Sequence, residues 1–205
     1  MKNILFDFGN VLFDLDLPRL EVEFRQLFGK NHVAAYRSLV SEKFFETWEV
    51  GGLTEHEFLE TIRQKTDPPV EMDAVRRAWN AIFLEMPAHR FEMLAQLRKK
   101  YAVFMLSNIN PTHASFIDDY ILREHGHADW QRQFFDAVYY SHLIRLRKPT
   151  RESFEFVLAD AEIKPEVTLF IDDLPENIET ARQLGFQTML HPVRSEIADA
   201  LRFLQ

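Results

Sequence analysis

The chain has no cysteine in its 205 residues, so neither a disulfide framework nor thiolate chemistry is open to it; the absence alone says little about compartment. It also lacks any excess of positive charge. Lys and Arg number 24 against 32 Asp and Glu, for a formal net charge of −8 and a pI near 5.5. Phosphate backbones need a concentrated basic face, so an extended nucleic-acid surface is not expected. No apolar run approaches the roughly 18 residues of a membrane span. The run Ile4 to Phe6 is cut short by Asp7 and no small-residue cleavage site follows, so no signal peptide is expected and a cytoplasmic location is the default. Internal repeats, low-complexity tracts and flexible linkers are missing too. With 46% hydrophobic content, the chain can build one large domain, or a core domain carrying a smaller insert.

The stretch Lys2 to Leu12, KNILFDFGNVL, organises the rest. Ile4, Leu5 and Phe6 show no polar alternation, the pattern of a parallel strand covered on both faces. The strand delivers Asp7 into a turn where Gly9 and Asn10 tolerate left-handed backbone angles. Helical spacing then takes over. Leu20, Phe24, Leu27 and Phe28 predict an amphipathic helix over Pro18 to Phe28, with Pro18 in its first turn and Gly29 past its end. A second helix is expected from Val33 to Trp48, stopping at Gly51-Gly52. Thr54 and Glu57 form a capping box for a third, which buries Phe58, Leu59 and Ile62 and ends at Pro68-Pro69. Val75, Trp79, Ile82 and Phe83 mark a fourth. Four helices without a strand predict a helical insert over 16–85, set into a core made of 1–15 and 86–205.

From Pro87 strands and helices alternate. A helix carrying Phe91, Leu94 and Leu97 leads into a strand, Ala102 to Leu106. Further strands are expected at Ala137 to Tyr140, Val167 to Ile171 and Gln187 to Leu190, with helices around Ser153 to Ala159, between Pro175 and Gly185, and closing through Leu201. This grammar predicts an α/β fold, a Rossmann-like parallel sheet core with an inserted small helical cap subdomain. Ligands of such sheets sit at the carboxyl ends of the strands, where Asp7, Ser107 and the pair Asp172-Asp173 converge. Three carboxylates with a hydroxyl and the Asn108 amide suit a hard cation, and Mg²⁺ prefers oxygen ligands shared with phosphate. Lys148 adds a fixed cation, so phosphate binding and a nucleophilic role for Asp7 follow. A divalent ion also explains why two acids stand side by side.

DFGNV at Asp7 to Val11, LSN at Leu106 to Asn108, RKP at Arg147 to Pro149 and IDDLPEN at Ile171 to Asn177 resemble the four ordered motifs of the haloacid dehalogenase superfamily. The resemblance spans nearly the whole chain and places the helical insert where that superfamily has a small cap. It is closest to small bacterial sugar-phosphate phosphatases, including the α-glucose-1-phosphate phosphatase type, and to the phosphatase domain of soluble epoxide hydrolases. It implies Asp7 as nucleophile and Mg²⁺ ligand, the Gly9 carbonyl as a second ligand, and Asp173 as the acidic ligand. Ser107, Lys148 and Asn108 would meet the substrate, a small phosphorylated metabolite. Asp172 would hold a metal-bound water or orient Lys148, and which of the two acids touches the metal stays open. Asn177 is expected either to hydrogen-bond these acids or to sit on a helix face.

One position departs from the family pattern. Where related phosphatases carry an acid–base Asp two residues after the nucleophile, this chain has Gly9, and Asp14, Asp16, Glu46 and Glu49 are the candidates to replace it. The acidic leaving hydroxyl of an anomeric phosphate would suit a site without that Asp. The alternatives are a 2-haloacid dehalogenase-type hydrolase, against which the cation site speaks, and a catalytically weak phosphometabolite-binding or regulatory protein, in whose favour Gly9 speaks. Arg145 and Arg147 are expected at the surface. His125-Gly126-His127 with Asp129 is expected to be a polar loop rather than a chelate. Phe44, Phe45, Trp48 and Trp79 are expected mainly as core, with Phe45 or Trp48 facing the site. The 19 Phe leave room for an apolar dimer patch on the cap, so monomer and homodimer are both open.

Overall fold

A computed structural model describes residues 1–204. The chain opens with strand β1, Asn3–Phe6, every residue of which is buried. Five helices follow without a strand: α1 Leu17–Phe28, α2 His32–Ser41, α3 Phe44–Glu49, α4 Glu55–Arg63 and α5 Met72–Asn80. The rest alternates: α6 Ala88–Leu97, β2 Ala102–Ser107, α7 Pro111–His125, α8 Trp130–Phe134, β3 Ala137–Tyr140, α9 Ser141–Ile144, α10 Arg151–Asp160, β4 Thr168–Asp172, α11 Pro175–Gln183, β5 Gln187–Leu190 and α12 Ile197–Ala200. The five strands form one parallel sheet in the order β3-β2-β1-β4-β5, with β1 in the middle. This is the α/β Rossmann-like architecture expected from the alternating pattern.

Because side chains alternate across a strand, β1 feeds both faces. Ile4 and Phe6 join the cluster that also holds Val103, Met105 and Ile171, while Leu5 joins Phe104, Leu106 and Phe170 on the other face. Neither face meets water, so the strand carries no polar alternation. Helices α1 to α5 build a separate cluster around Phe24, Leu39, Trp48, Phe58 and Ile62. The chain enters and leaves them through a paired ribbon. Asp14 N–H donates to the Glu85 carbonyl (2.8 Å), Leu84 N–H to Asp14 (2.9 Å) and Asp16 N–H to Ile82 (2.7 Å), and Leu15 bridges Phe83 in antiparallel fashion.

The capping box is present: Thr54 Oγ1 accepts from Glu57 N–H at 3.2 Å and Glu57 Oε2 accepts from Thr54 N–H at 2.7 Å. Three expectations are corrected. The helix drawn over Val33 to Trp48 is two, α2 and α3, broken at Lys43, whose φ of 52° is left-handed. The break re-aims Phe44 and Trp48 so that both stack on Phe58, at 5.2 and 4.9 Å. Ile82 and Phe83 lie beyond the end of α5 and belong to the ribbon. Of the phenylalanines, Phe156 and Phe203 are among the exposed apolar residues, whereas on α1 and α2 that role falls to Leu17, Val22, Val33, Tyr36 and Val40; the apolar surface there is aliphatic and tyrosyl rather than Phe-rich.

Candidate active site

Asp7 follows directly on β1, and its N–H donates to the Ile171 carbonyl of β4 (2.8 Å), which brings it level with Asp172. Ser107 ends β2, opposite Tyr140 of β3, and is buried. The carboxyl edge of the sheet therefore gathers Asp7, Ser107, Asp172 and Asp173 as the sequence predicts. Lys148 reaches the same place from the segment before α10. Its Nζ lies 2.6 Å from Asp7 Oδ1 and 2.6 Å from Asp172 Oδ2, over the Phe170 ring. The side chain is 2% exposed, so the ammonium is confined between the two carboxylates.

Asn108 locks that lysine in place. Its Oδ1 accepts from Lys148 N–H (2.9 Å) and its Nδ2 donates to the Lys148 carbonyl (2.8 Å), so both ends of the amide are used on the lysine backbone. Of the two readings open for Asn177, the structure has the first: Nδ2 donates to Asp172 at 2.9 and 3.0 Å. Leu174 N–H also donates to Asp172 Oδ1 (2.8 Å). Asp172 is thus fully buried, with donors on both oxygens. Asp173 is half-buried and takes Asn10 Nδ2 on Oδ2 (3.0 Å).

Among the described residues, Asp7, Asp172 and Asp173 are the one group with metal-ligand spacing, their oxygens lying within 4.8 Å of one another. Burial pushes the Asp7 carboxyl up to about 7, with Lys148 opposing and Asp172 adding to the rise. Asp173 is also raised, chiefly by burial, with Asn10 opposing and Asp172 adding. Burial works against the Lys148 charge, but Asp7 and Asp172 outweigh it and hold the ammonium above its usual range. Three carboxylates facing one ammonium leave negative charge unbalanced in a mostly dry pocket, the donor set and charge that suit a divalent cation.

Gly9 has a packing reason. A Cβ there would stand 2.7 Å from Leu15 Cδ1, so the space of a side chain is already filled by Leu15. Of the two turn residues, it is Asn10 that takes the left-handed conformation, at φ 56°. The four acids weighed as substitutes for the missing Asp separate. Asp14 is held by Arg90 Nη1 at 2.8 Å, Glu46 is exposed, and Asp16 flanks the start of α1. Glu49 ends α3 against the core: its carbonyl accepts from Ser141 Oγ (2.6 Å), and Ser141 Oγ in turn accepts from Ile109 N–H (2.9 Å), two residues past Ser107. Burial pushes the Glu49 carboxyl up against the opposing pull of Arg147.

Arg147 corrects another expectation. It is half-buried, with Nη2 3.0 Å from Glu49 Oε2, and ties α3 to the residue beside Lys148; Arg145 is exposed, as expected. Trp48 is fully buried and Phe45 stacks on Trp79 at 5.4 Å, so both rings pack within the helical insert. His125 is the last residue of α7 rather than part of a loop, and His125 and His127 pack their rings on Phe91, at 4.9 and 5.1 Å. The sequence reading did not single out Ser141, Arg90 or His113. The Asn10 turn was visible as local grammar, but its contact with Asp173 spans 163 residues and left no local signal.

The family of haloacid dehalogenase-like hydrolases matches residues 1–185. The D-ribitol-5-phosphate phosphatase of Bacteroides thetaiotaomicron is 30% identical over 188 residues, covering 92% of this chain and 90% of that protein. The sesquiterpene phosphatase astK of Aspergillus oryzae is 26% identical over 186 residues, covering 90% and 86%. Among solved structures, a HAD family enzyme from Bacteroides thetaiotaomicron, in complex with magnesium and inorganic phosphate, superposes with a TM-score of 0.84 at 30% identity, covering 98% of this chain and 100% of that one. This chain belongs to the haloacid dehalogenase-like hydrolases.

Proposed function

We propose that the protein is a Mg²⁺-dependent phosphatase of a small phosphorylated metabolite of the sugar or polyol phosphate class, with Asp7 as nucleophile. The observation that carries this reading is the buried Asp7–Lys148–Asp172 arrangement beside Asp173, an excess of negative charge with a single cation inside it. The relatives named as phosphatases and the neighbour with magnesium and phosphate support it. Asp7, Asp173 and the Gly9 carbonyl would hold the ion. Asp172 is the poorer direct ligand because both its oxygens already accept hydrogen bonds, and it serves to orient Lys148. A bound Mg²⁺ supplies positive charge that lets phosphate approach the carboxylates.

The remaining chemistry belongs to the chain. Lys148 fixes the rotation of the Asp7 carboxylate through Oδ1 and offers a cation to the phosphoryl oxygens. Ser107 Oγ and backbone N–H groups past the strand ends bind those oxygens. Asp7 attacks phosphorus, the ester P–O bond breaks, and the alcohol leaves with a proton; water then cleaves the aspartyl phosphate and frees Asp7. Glu49 is the acid we assign to that proton, because its backbone carbonyl is anchored to Ser141 just past β3 and burial raises its carboxyl against the pull of Arg147. Residues 16–85 act as a cap over a catalytic core of 1–15 and 86–205, and the Glu49–Arg147 pair sits on the seam.

The test is phosphate release from p-nitrophenyl phosphate and from a panel that sets sugar 1-phosphates against D-ribitol 5-phosphate, with Mg²⁺ or EDTA. Wild type is expected to release phosphate only with Mg²⁺, and Asp7→Asn to fall to background. Binding of the panel without release by wild type would instead make the protein a phosphometabolite binder.

A further inference from the structure

Asn10 sits in a conformation that few non-glycine residues adopt, φ 56°, and its backbone N–H and both ends of its side-chain amide are hydrogen-bonded. Its N–H donates to the Phe13 carbonyl at 2.8 Å. Its Oδ1 accepts from Leu15 N–H at 3.3 Å, which identifies the oxygen end of the amide, and its Nδ2 donates to Asp173 Oδ2 at 3.0 Å. Leu15 is the residue whose side chain fills the space at Gly9 and whose backbone bridges Phe83. On either side of it, Asp14 and Asp16 pair with Leu84, Glu85 and Ile82. One amide therefore spans the gap between the acidic cluster and the ribbon through which the chain enters and leaves α1 to α5.

We propose that Asn10 is a positioning residue for the divalent cation: its side-chain Nδ2 donates to Asp173 Oδ2 so that the other carboxylate oxygen is presented to Mg²⁺, and its side-chain Oδ1, accepting from Leu15 N–H, ties that carboxylate to the base of the helical insert. The proposal rests on the cation reading given above. The physical reason is that a ligating carboxylate free to rotate loses rotational entropy on binding the ion, whereas one already held by a donor loses less. Outer partners of this kind typically contribute ~10–100-fold in metal affinity. Whatever the ion adds to the order of Asp173, it adds through Asn10 to the Leu15 amide, so Mg²⁺ occupancy and the base of the insert are linked.

Asn10→Gly is the informative change, because glycine accepts the left-handed backbone and removes only the amide contacts. Asn10→Ala removes the same contacts and adds backbone strain. Mg²⁺ affinity by calorimetry, melting temperature in EDTA, and hydrogen exchange at the Leu15 amide with and without Mg²⁺ are measured on the full chain, with no substrate present. Both variants are expected to bind Mg²⁺ ~10-fold more weakly, by equal amounts, although Ala melts lower than Gly. Mg²⁺ is expected to slow Leu15 exchange in wild type and not in Asn10→Gly. Unchanged affinity in Asn10→Gly, or affinities that track the melting temperatures of the two variants, would overturn the proposal. Wild type that binds no Mg²⁺ would remove the cation reading itself, and this inference with it; binding by wild type that survives Asn10→Gly removes this inference alone.

Discussion

At the scale of single residues, the site combines buried charge with a missing acid. Lys148 stands between Asp7 and Asp172, and Asp172 is held further by Asn177 and Leu174. A carboxylate so placed cannot turn to a new partner without leaving buried donors unpaired, which costs about 1–3 kcal/mol for each. Position 9 is glycine and carries no carboxyl, so a leaving-group proton has to come from elsewhere. Glu49→Gln tests the assignment made here. It is expected to slow hydrolysis of alkyl phosphates ~10²-fold or more while p-nitrophenyl phosphate, whose leaving group needs no proton, stays near the wild-type rate. Equal losses on both ester types would show that Glu49 holds the seam together and does not supply the proton.

At the scale of elements, the helical insert packs on α9 and on α7. The α3–α4 turn docks on α9: Gly51, at φ 69°, would place a Cβ 2.5 Å from the His142 carbonyl, where backbone cannot yield easily. Gly51→Ala is expected to cost about 1–3 kcal/mol in denaturant unfolding, through the strained φ and the clash together. It is also expected to raise KM more than it lowers kcat on p-nitrophenyl phosphate. The second contact joins α5 to α7, where His113 stacks on Trp79 at 4.8 Å. His113 Nδ1 faces Asn110 Nδ2 (3.0 Å) and its Nε2 faces the Trp79 carbonyl (3.1 Å). With the Asn110 amide donating to Nδ1, the proton of neutral His113 lies on Nε2.

Burial pushes His113 down to about 3, despite the Trp79 carbonyl favouring its charged form. A group depressed on folding supports stability above its unfolded value near 6.5 and withdraws that support as pH falls toward the folded value. Between about pH 6.5 and 3 the fold is therefore expected to lose up to ~1.4 kcal/mol per pH unit from this residue. Urea unfolding of wild type and His113→Gln across that window checks it: the variant should show the shallower slope.

At the scale of the whole molecule, the sheet is buried on both faces, and the helices α1 to α5 pack a cluster of their own. Among the described residues, no helix is long and apolar enough to cross a membrane. An ion that binds only the folded state stabilises it by mass action, by about 2.7 kcal/mol at a hundred times its dissociation constant. The melting temperature of wild type is therefore expected to rise with Mg²⁺ concentration, and that of Asp173→Asn to rise much less. Equal rises in the two proteins would show that Asp173 is no ligand.

The amino-acid sequence by itself determined the parts of this protein that depend on near neighbours. Buried parallel strands are written as unbroken apolar runs, the capping box spans three residues, and the carboxyl ends of such strands share one edge of the sheet. Strand grammar alone therefore gathers Asp7, Ser107, Asp172 and Asp173 at one edge. The helix break at Lys43 escaped because the pull on Phe44 and Trp48 comes from Phe58, in another helix. Only the tertiary structure decided that Arg147 pairs with Glu49, that Asn108 and Asn177 serve Lys148 and Asp172, and that Leu15 fills the space beside Gly9. These are pairings of single side chains across long stretches of chain. Their energies depend on burial and distance, which periodicity and motif spacing do not encode.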